Sequence, residues 1–262
     1  MSEHRAEGLR VVSYNIHKGL TAGNLRVALT RMRDALRTLG PDLIMVQEVV
    51  GSHTGFARRF SDWHAGAQFE FLADSMWPHY AYGRNAVHAA GDHGNAILSR
   101  FPIIGFENID ISVNRFEQRG ILHVEVDVPG LALPLHVCCT HLNLLHGQRR
   151  RQLAALVQRV NDAVPTHCPL LIGGDFNDWR TWATRELART IGVAEAYVHM
   201  HGRHALTYPD WHPMLAMDRI YVRGLEVTGA QVLNSPAWRA LSDHLGVHVD
   251  LSLSAPLAVP PA

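Results

Sequence analysis

Asn15, Glu48, His141 and Asp175 each stand at the C-terminal end of a β-rich apolar run, and His244 opens the last such run. In sheet-based α/β folds, side chains from distant segments converge at strand ends, so these positions predict one shared site. Four residues in such settings are acids, Glu48, Asp175, Asp218 and Asp243, with no lysine or arginine run to neutralise them. Gathered carboxylates repel, and a bound cation is the simplest way to hold them together; hard oxygen ligands favour magnesium or manganese. A histidine held by a carboxylate stays protonated near neutrality and can donate to developing negative charge. Any one acid alone reads equally well as a solvated strand end or helix cap. Together they point to chemistry assisted by a metal.

Periodicity outlines the elements that must position these residues. Residues 9–16 (LRVVSYNI) form a β-rich run, after which Leu25, Leu29, Met32, Leu36 and Leu39 recur at helical spacing until Gly40-Pro41. Residues 43–46 are too short for a helix and read as a strand covered on both faces, with Glu48 at its exit. A short helix is expected over 69–77 before Pro78, an irregular strand over 80–84 and another strand over 94–99. Strands over 103–111, 120–128 and 135–142 resemble an antiparallel meander. Leu153, Leu156, Val157, Val160 and Val164 trace one face of a helix from His146, ended by Pro165. Residues 170–172 then lead through Gly173-Gly174 into Asp175, with a helix over 181–190, a long loop over 198–214 and closing strands over 216–222 and 244–251.

With 262 residues, 47% of them hydrophobic, the chain can bury a large core, and the absence of repeats or linkers predicts one domain over 9–254 between a flexible N-terminus, 1–8, and a C-terminal tail, 255–262. Its 24 basic and 24 acidic residues balance, which weakens the case for a dedicated duplex binder. Cys138, Cys139 and Cys168 show no C-x-x-C spacing, and the adjacent pair should point to opposite faces of a strand, so no disulfide framework is expected. No apolar run reaches the roughly 18 residues of a membrane span and the N-terminus lacks a secretory core, so the expectation is a cytoplasmic monomer, with peripheral membrane contact left open. Among 18 histidines, His199, His201 and His204 invite a zinc reading, but chance pairs are expected at this frequency and surface histidines are the default.

Seven strings carry a resemblance: Ser13-Tyr14-Asn15-Ile16, Gln47-Glu48-Val49, residues 94–100 (GNAILSR), Thr140-His141-Leu142, residues 173–177 (GGDFN), Met217-Asp218-Arg219-Ile220 and Ser242-Asp243-His244. In this order they resemble the successive motifs of the endonuclease/exonuclease/phosphatase superfamily over nearly the whole chain. The resemblance implies a four-layer α/β sandwich, two packed mixed β-sheets flanked by helices, with a Mg²⁺ or Mn²⁺ site at one edge. It also implies roles. Glu48 would be the principal metal ligand, Asn15 a nearby ligand or phosphate contact, and Asp243 an outer or second-metal ligand. Asp175 would orient or deprotonate the attacking water, Asn177 and His141 would contact the phosphoryl oxygens, and His244, held by Asp218, would stabilise the developing charge. Phosphoryl displacement needs such an in-line water, Lewis acid and donor set.

Substrate must be read from the departures. His17-Lys18-Gly19 replaces the Gly-Leu-Arg run usual in abasic-site nucleases, and Phe176 and Asp178-Trp179 depart from the inositol phosphatases. The longer strings resemble a bacterial branch, some members of which are linked with phospholipid or lipid-anchor metabolism. Lys18, Arg84 and Asn95 are candidate substrate contacts, and Trp77, Tyr80, Tyr82 and Trp179 could line the substrate side. Arg149, Arg150 and Arg151 read first as a solvated helix face, with a nucleic-acid backbone or anionic membrane as the alternative. The favoured substrate is a phosphodiester of lipid, head-group or small-molecule type; the alternatives are a DNA or RNA nuclease and a non-catalytic binding module.

Overall fold

The computed structural model describes residues 8–253, and the expected terminal segments fall outside them except for Gly8, which opens the first strand. Period-two apolar runs build two six-stranded mixed sheets. The first contains β1 (Gly8–Asn15), β2 (Leu43–His53), β3 (His79–His88), β4 (Gly91–Ser99), β11 (Glu226–Val232) and β12 (Val247–Ser252), in the order β11-β12-β1-β2-β4-β3. The second contains β5 (Ile103–Asp110), β6 (Gly120–Val126), β7 (Leu135–His141), β8 (Leu170–Asp175), β9 (Ala194–Glu195) and β10 (Asp218–Arg223), in the order β5-β6-β7-β8-β10-β9. Each sheet has one parallel pair, β1 with β2 and β7 with β8. Those pairs are joined by α1 (Leu29–Leu39) and α4 (His146–Ala163), as a parallel crossover requires.

Alternation along the strands sorts side chains into three apolar layers. Val11, Met45, Ile97, Val137, Leu171 and Ile220 fill the space between the sheets. Val12, Tyr14, Ile44 and Val46 face outward beneath Leu29, Met32 and Leu36 of α1 and Leu72 of α3 (Gln68–Ala73). On the other side Cys138, Leu170 and Ile172 lie beneath Leu153, Leu156 and Val160 of α4 and Leu187 of α5 (Trp182–Ile191). Cys138 and Cys139 do face opposite ways, and all three cysteines are free and buried. The sheets approach closely where Gly173 lies: a β-carbon there would stand 2.3 Å from Met45 Cε. Gly174, at φ +149°, would place one 1.8 Å from the Thr140 carbonyl oxygen, so only glycine fits.

Several expectations are corrected. Leu25 is exposed and precedes α1. β2 runs on to His53, and Glu48 sits inside it rather than at its exit. Two short helices were not anticipated, α2 (Thr54–Arg59) and α6 (Ala196–His201); the second replaces the start of the expected long loop because Glu195 accepts from Tyr197 N and Val198 N at its first turn. β11 was missed because only Val227 of Glu226–Val232 is buried and Gly229 interrupts the run at a bulge, which weakens the alternation. His244 lies three residues ahead of β12, in the loop entering it. Trp77 belongs to the core, its indole Nε1 donating to Pro41 O at 2.8 Å.

A buried pair on β6 and β7 couples this fold to pH. His123 Nε2 and His136 Nδ1 are 3.0 Å apart, and Arg159 Nε donates to His123 Nδ1 at 3.1 Å. Burial, then the Arg159 charge, pushes the His123 pKa down to about 4. An unfolded histidine titrates near its ordinary value, so the native state binds fewer protons below about pH 6.5. Stability contributed by keeping His123 neutral is therefore full above about pH 6.5 and lost as pH falls toward 4, up to about 3 kcal/mol over the window. Urea unfolding from pH 7.5 to pH 5 should show a steeper loss for the wild type than for His123→Gln; parallel curves would remove His123 as the cause.

Candidate active site

The chain ends of several strands meet at one edge. β7 and β8 run parallel and pair His141 with Asp175, while antiparallel β10 pairs Asp218 with Asp175. His141, Asp175 and Asp218 therefore lie in a row across three strands. In the facing sheet, parallel pairing sets Asn15 of β1 beside Gln47 of β2. Val46 pairs with Ala96 and Val49 with Gly94, so Gln47 and Glu48 together oppose Asn95 alone. This bulge puts Glu48 at φ 56° and turns its side chain into the site. His17, Lys18 and Asn177 also have positive φ, so half of the eight non-glycine residues in that region among the described residues belong to the site. Such backbone outliers concentrate where a fold holds functional groups in place.

Asp175 is the centre. Asn15 Nδ2 donates to its Oδ2 at 3.1 Å, His141 Nε2 is 3.4 Å and His244 Nε2 3.7 Å from the same oxygen, and Asn177 N donates to Oδ1 at 2.9 Å. His244 Nδ1 faces Asp218 Oδ2 at 2.8 Å. Burial opposes a charge on His244, but Asp218 and then Asp175 outweigh it and lift its pKa to about 10. His141 goes the other way: burial and the Arg119 charge outweigh Asp175 and Glu48 and lower it to about 4. One imidazole is thus cationic at neutral pH and the other neutral, two roles set by environment alone. Asn177 Nδ2 donates to Leu142 O at 2.9 Å and lies 3.2 Å from His141 Nε2, while His141 Nδ1 faces Glu48 Oε1 at 4.0 Å. Asn177 therefore packs its amide against the His141 ring.

The remaining acids have basic partners. Lys18 Nζ donates to Glu48 Oε2 at 2.8 Å; although burial raises the Glu48 pKa, Lys18 overcomes it and holds the carboxyl well below the usual range. Asp243 Oδ1 is 3.2 Å from His17 Nδ1, and despite burial this contact and the His244 charge lower its pKa. Asp175, Asp218 and His244 offer ligand atoms within 4.8 Å of one another, a geometry that fits a metal. Protonated His244, however, is a donor and not a ligand, whereas Glu48, Asn15 and Asp243 bring to the same edge the oxygen donors that suit a hard cation. One carboxylate oxygen, Asp218 Oδ1, is buried with no hydrogen-bond partner, which also fits a site built to meet a cation or substrate donor.

Among the other candidates, Asn95 is buried and donates to Gly120 O at 3.0 Å and Cys139 O at 3.3 Å, while Arg84 is exposed on β3 beside Gly94. Tyr82 stacks on Phe69 with centroids 4.5 Å apart, and its hydroxyl donates to Asp92 at 2.8 Å. The arginine run does not form one solvated face: Arg149 is buried, donates to the carbonyls of Asn143 and Leu144, and lies over the Trp179 ring. His201 Nε2 meets Ala230 O at 2.8 Å and His204 Nδ1 lies 3.7 Å from Glu195 Oε2, so these two of the three histidines take structural partners. A concavity of about 520 Å³ is a groove between α4 and α5 with none of the convergent polar groups in it. A small depression lined by Asn85, His93, Arg119, Glu48 and His141 does reach them, so chemistry and not volume locates the site.

Sequence reasoning missed His17, Arg119, Thr207, Tyr208 and Ser242. Ser242 Oγ donates to Asn15 O at 2.8 Å, Thr207 Oγ accepts from Asp218 N at 3.2 Å, and the Tyr208 ring packs 4.9 Å from His244. Arg119 had a usable signal: β6 is antiparallel to β7, so the start of one lies beside the end of the other, next to His141. Thr207 and Tyr208 lie in an aperiodic segment that offers none. Beneath the site, Arg219 bonds Asp178 through Oδ2 and the main-chain carbonyl, tying the residue after Asn177 to the residue after Asp218.

Fold and site together define a class, the α/β-sandwich hydrolases of phosphoesters. Residues 12–244 match the Endonuclease/Exonuclease/phosphatase family. The chain is 43% identical over 244 residues to the Uncharacterized protein YbhP of Escherichia coli (strain K12), covering 93% of this chain and 96% of that protein. The endonuclease/exonuclease/phosphatase from Beutenbergia cavernae DSM 12333 is similar in structure, with a TM-score of 0.76 at 23% identity over 96% of this chain and 73% of that one. D. rerio TDP2 complexed with single strand DNA product gives a TM-score of 0.69 at 18% identity over 93% of this chain and 98% of that one. This chain belongs to the endonuclease/exonuclease/phosphatase family, whose members are in general metal-dependent phosphodiester hydrolases.

Proposed function

We propose that this protein is a Mg²⁺- or Mn²⁺-dependent phosphodiesterase that hydrolyses a lipid, head-group or small-molecule diester with an activated water. The observation that carries the reading is the convergence on Asp175 Oδ2 of Asn15, neutral His141 and cationic His244. Glu48, Asn15 and Asp243 would hold the cation, which when bound polarises a phosphoryl oxygen as a Lewis acid. Asp175 orients the attacking water and accepts its proton. His244, kept charged by Asp218, donates through Nε2 to the charge that develops as the P–O bond breaks. His141 donates to a non-bridging oxygen, with the Asn177 amide packed against its ring. Lys18 and Arg119 stand on the Glu48 side, where substrate phosphate would enter.

Zero net charge and exposed aliphatic side chains on the loops beside the site, Leu144 and Met214 among them, favour a lipid or small diester over a nucleic acid. Bis-p-nitrophenyl phosphate should be turned over with Mg²⁺ or Mn²⁺, lose turnover in EDTA and regain it on adding metal back. Turnover that persists in EDTA would overturn the metal-dependent reading. The second reading, a nuclease, draws on the single-strand DNA product in the TDP2 structure. It would show as cleavage of plasmid or single-stranded DNA at low enzyme, falling steeply with salt.

A further inference from the structure

We infer that the loops around the active site form an interfacial surface that seats the protein on an anionic lipid bilayer. The idea rests on the phosphodiesterase reading for its purpose, but it is read by binding alone. The loops leave the edge that carries the chemistry. Residues 142–145 follow His141, and Trp179 follows Asn177 by two. The 112–119 loop joins them because Asn114 and Asn143 both donate to Gln148 Oε1, at 3.2 Å and 2.7 Å. On the other flank, Asp210 N donates to Asp243 O at 2.9 Å and Tyr208 packs on His244, which fixes the loop bearing Trp211 and Met214.

These loops present large apolar side chains to water. Phe116 is 82% exposed, Trp211 75%, Leu145 61%, Met214 57% and Leu144 54%. Single exposed apolar residues are ordinary on any surface, and others, Leu25 and Phe106 among them, lie elsewhere on this one, but five on the loops that flank one site make an interaction surface. Charge selects the occupant. The exposed ionisable residues of the same loops and of the first turns of α4 include Arg115, Arg150, Arg151 and Arg180, none of them in an ion pair with a described residue. The acids there, Asp178 and Asp210, are buried, and Glu117 sits with Arg119. A chain with no net charge thus gathers positive charge beside apolar residues, the pairing that an anionic lipid surface meets with head groups and acyl chains. A nucleic acid would use the arginines and stack on the rings, but Leu144, Leu145 and Met214 give it nothing to stack on.

The test is co-sedimentation of the intact chain with vesicles of phosphatidylcholine and phosphatidylglycerol in equal parts, against phosphatidylcholine alone. Binding is expected to the mixed vesicles and to fall as salt rises. The double substitution Leu144→Asp/Leu145→Asp should weaken it at least ~10-fold with unchanged melting temperature, since both side chains are already in water. Arg115→Gln/Arg150→Gln/Arg180→Gln should remove the preference for anionic vesicles. No binding by the wild type, or equal binding by the variants, overturns the inference; so does capture of a single-stranded oligonucleotide without vesicle binding, which would assign the surface to nucleic acid. Vesicle binding without any hydrolysis of bis-p-nitrophenyl phosphate would leave the surface standing and remove the catalytic reading instead.

Discussion

Asp175→Asn is expected to lower kcat on bis-p-nitrophenyl phosphate at least ~10²-fold while leaving the fold intact. The substitution keeps the shape and keeps an oxygen to accept from Asn177 N, so the turn after β8 should survive. It removes a charge that His244 faces and the group proposed to take a proton from water. It also sets an amide nitrogen against Asn15 Nδ2, which now donates to Oδ2 at 3.1 Å. A structural role alone would lower stability and spare kcat in the folded fraction. Near-normal turnover in a variant that melts like the wild type would therefore remove Asp175 from the mechanism.

His244→Ala should show two large effects at once. Activity should fall at least ~10²-fold, because the cationic donor is lost. Stability should fall as well, by about 3 kcal/mol, because Asp218 is wholly buried, already has one oxygen without a partner, and would lose the partner of the other. The two effects separate in the double variant Asp218→Asn/His244→Gln. Replacing the ion pair with two neutral amides should restore much of the urea midpoint and none of the turnover. Recovery of turnover would show that the charge on His244 is not needed; a single variant as stable as the wild type would show that the pair is not a buried ion pair in solution.

Much of the site was legible because its address is local. Asn15, His141 and Asp175 end strands whose apolar alternation is written in their own segments, and the helices beneath Met32 and Leu156 follow from spacing along one stretch of chain. Glu48 was found for a partly mistaken reason. It stands in a bulge within a longer strand, and a bulge depends on how β2 registers against β4, which no property of residues 43–53 reveals. Arg149 misled for a similar reason: a charged residue on a helix reads as solvated until Trp179 and the carbonyls after His141 arrive to cover it.

The sequence by itself determined which residue types stand at strand ends, where the helices run and that the chain carries the family's motifs in order. Tertiary structure alone decided their electrical state. His141 and His244 are the same side chain, and one is neutral and the other charged because of what the fold sets around them: burial and Arg119, just ahead of β6, for the first, and Asp218 from β10 for the second. Coulomb interaction and desolvation depend on distance in space and not along the chain, so the composition of a site can be read from a sequence while its protonation must wait for the fold.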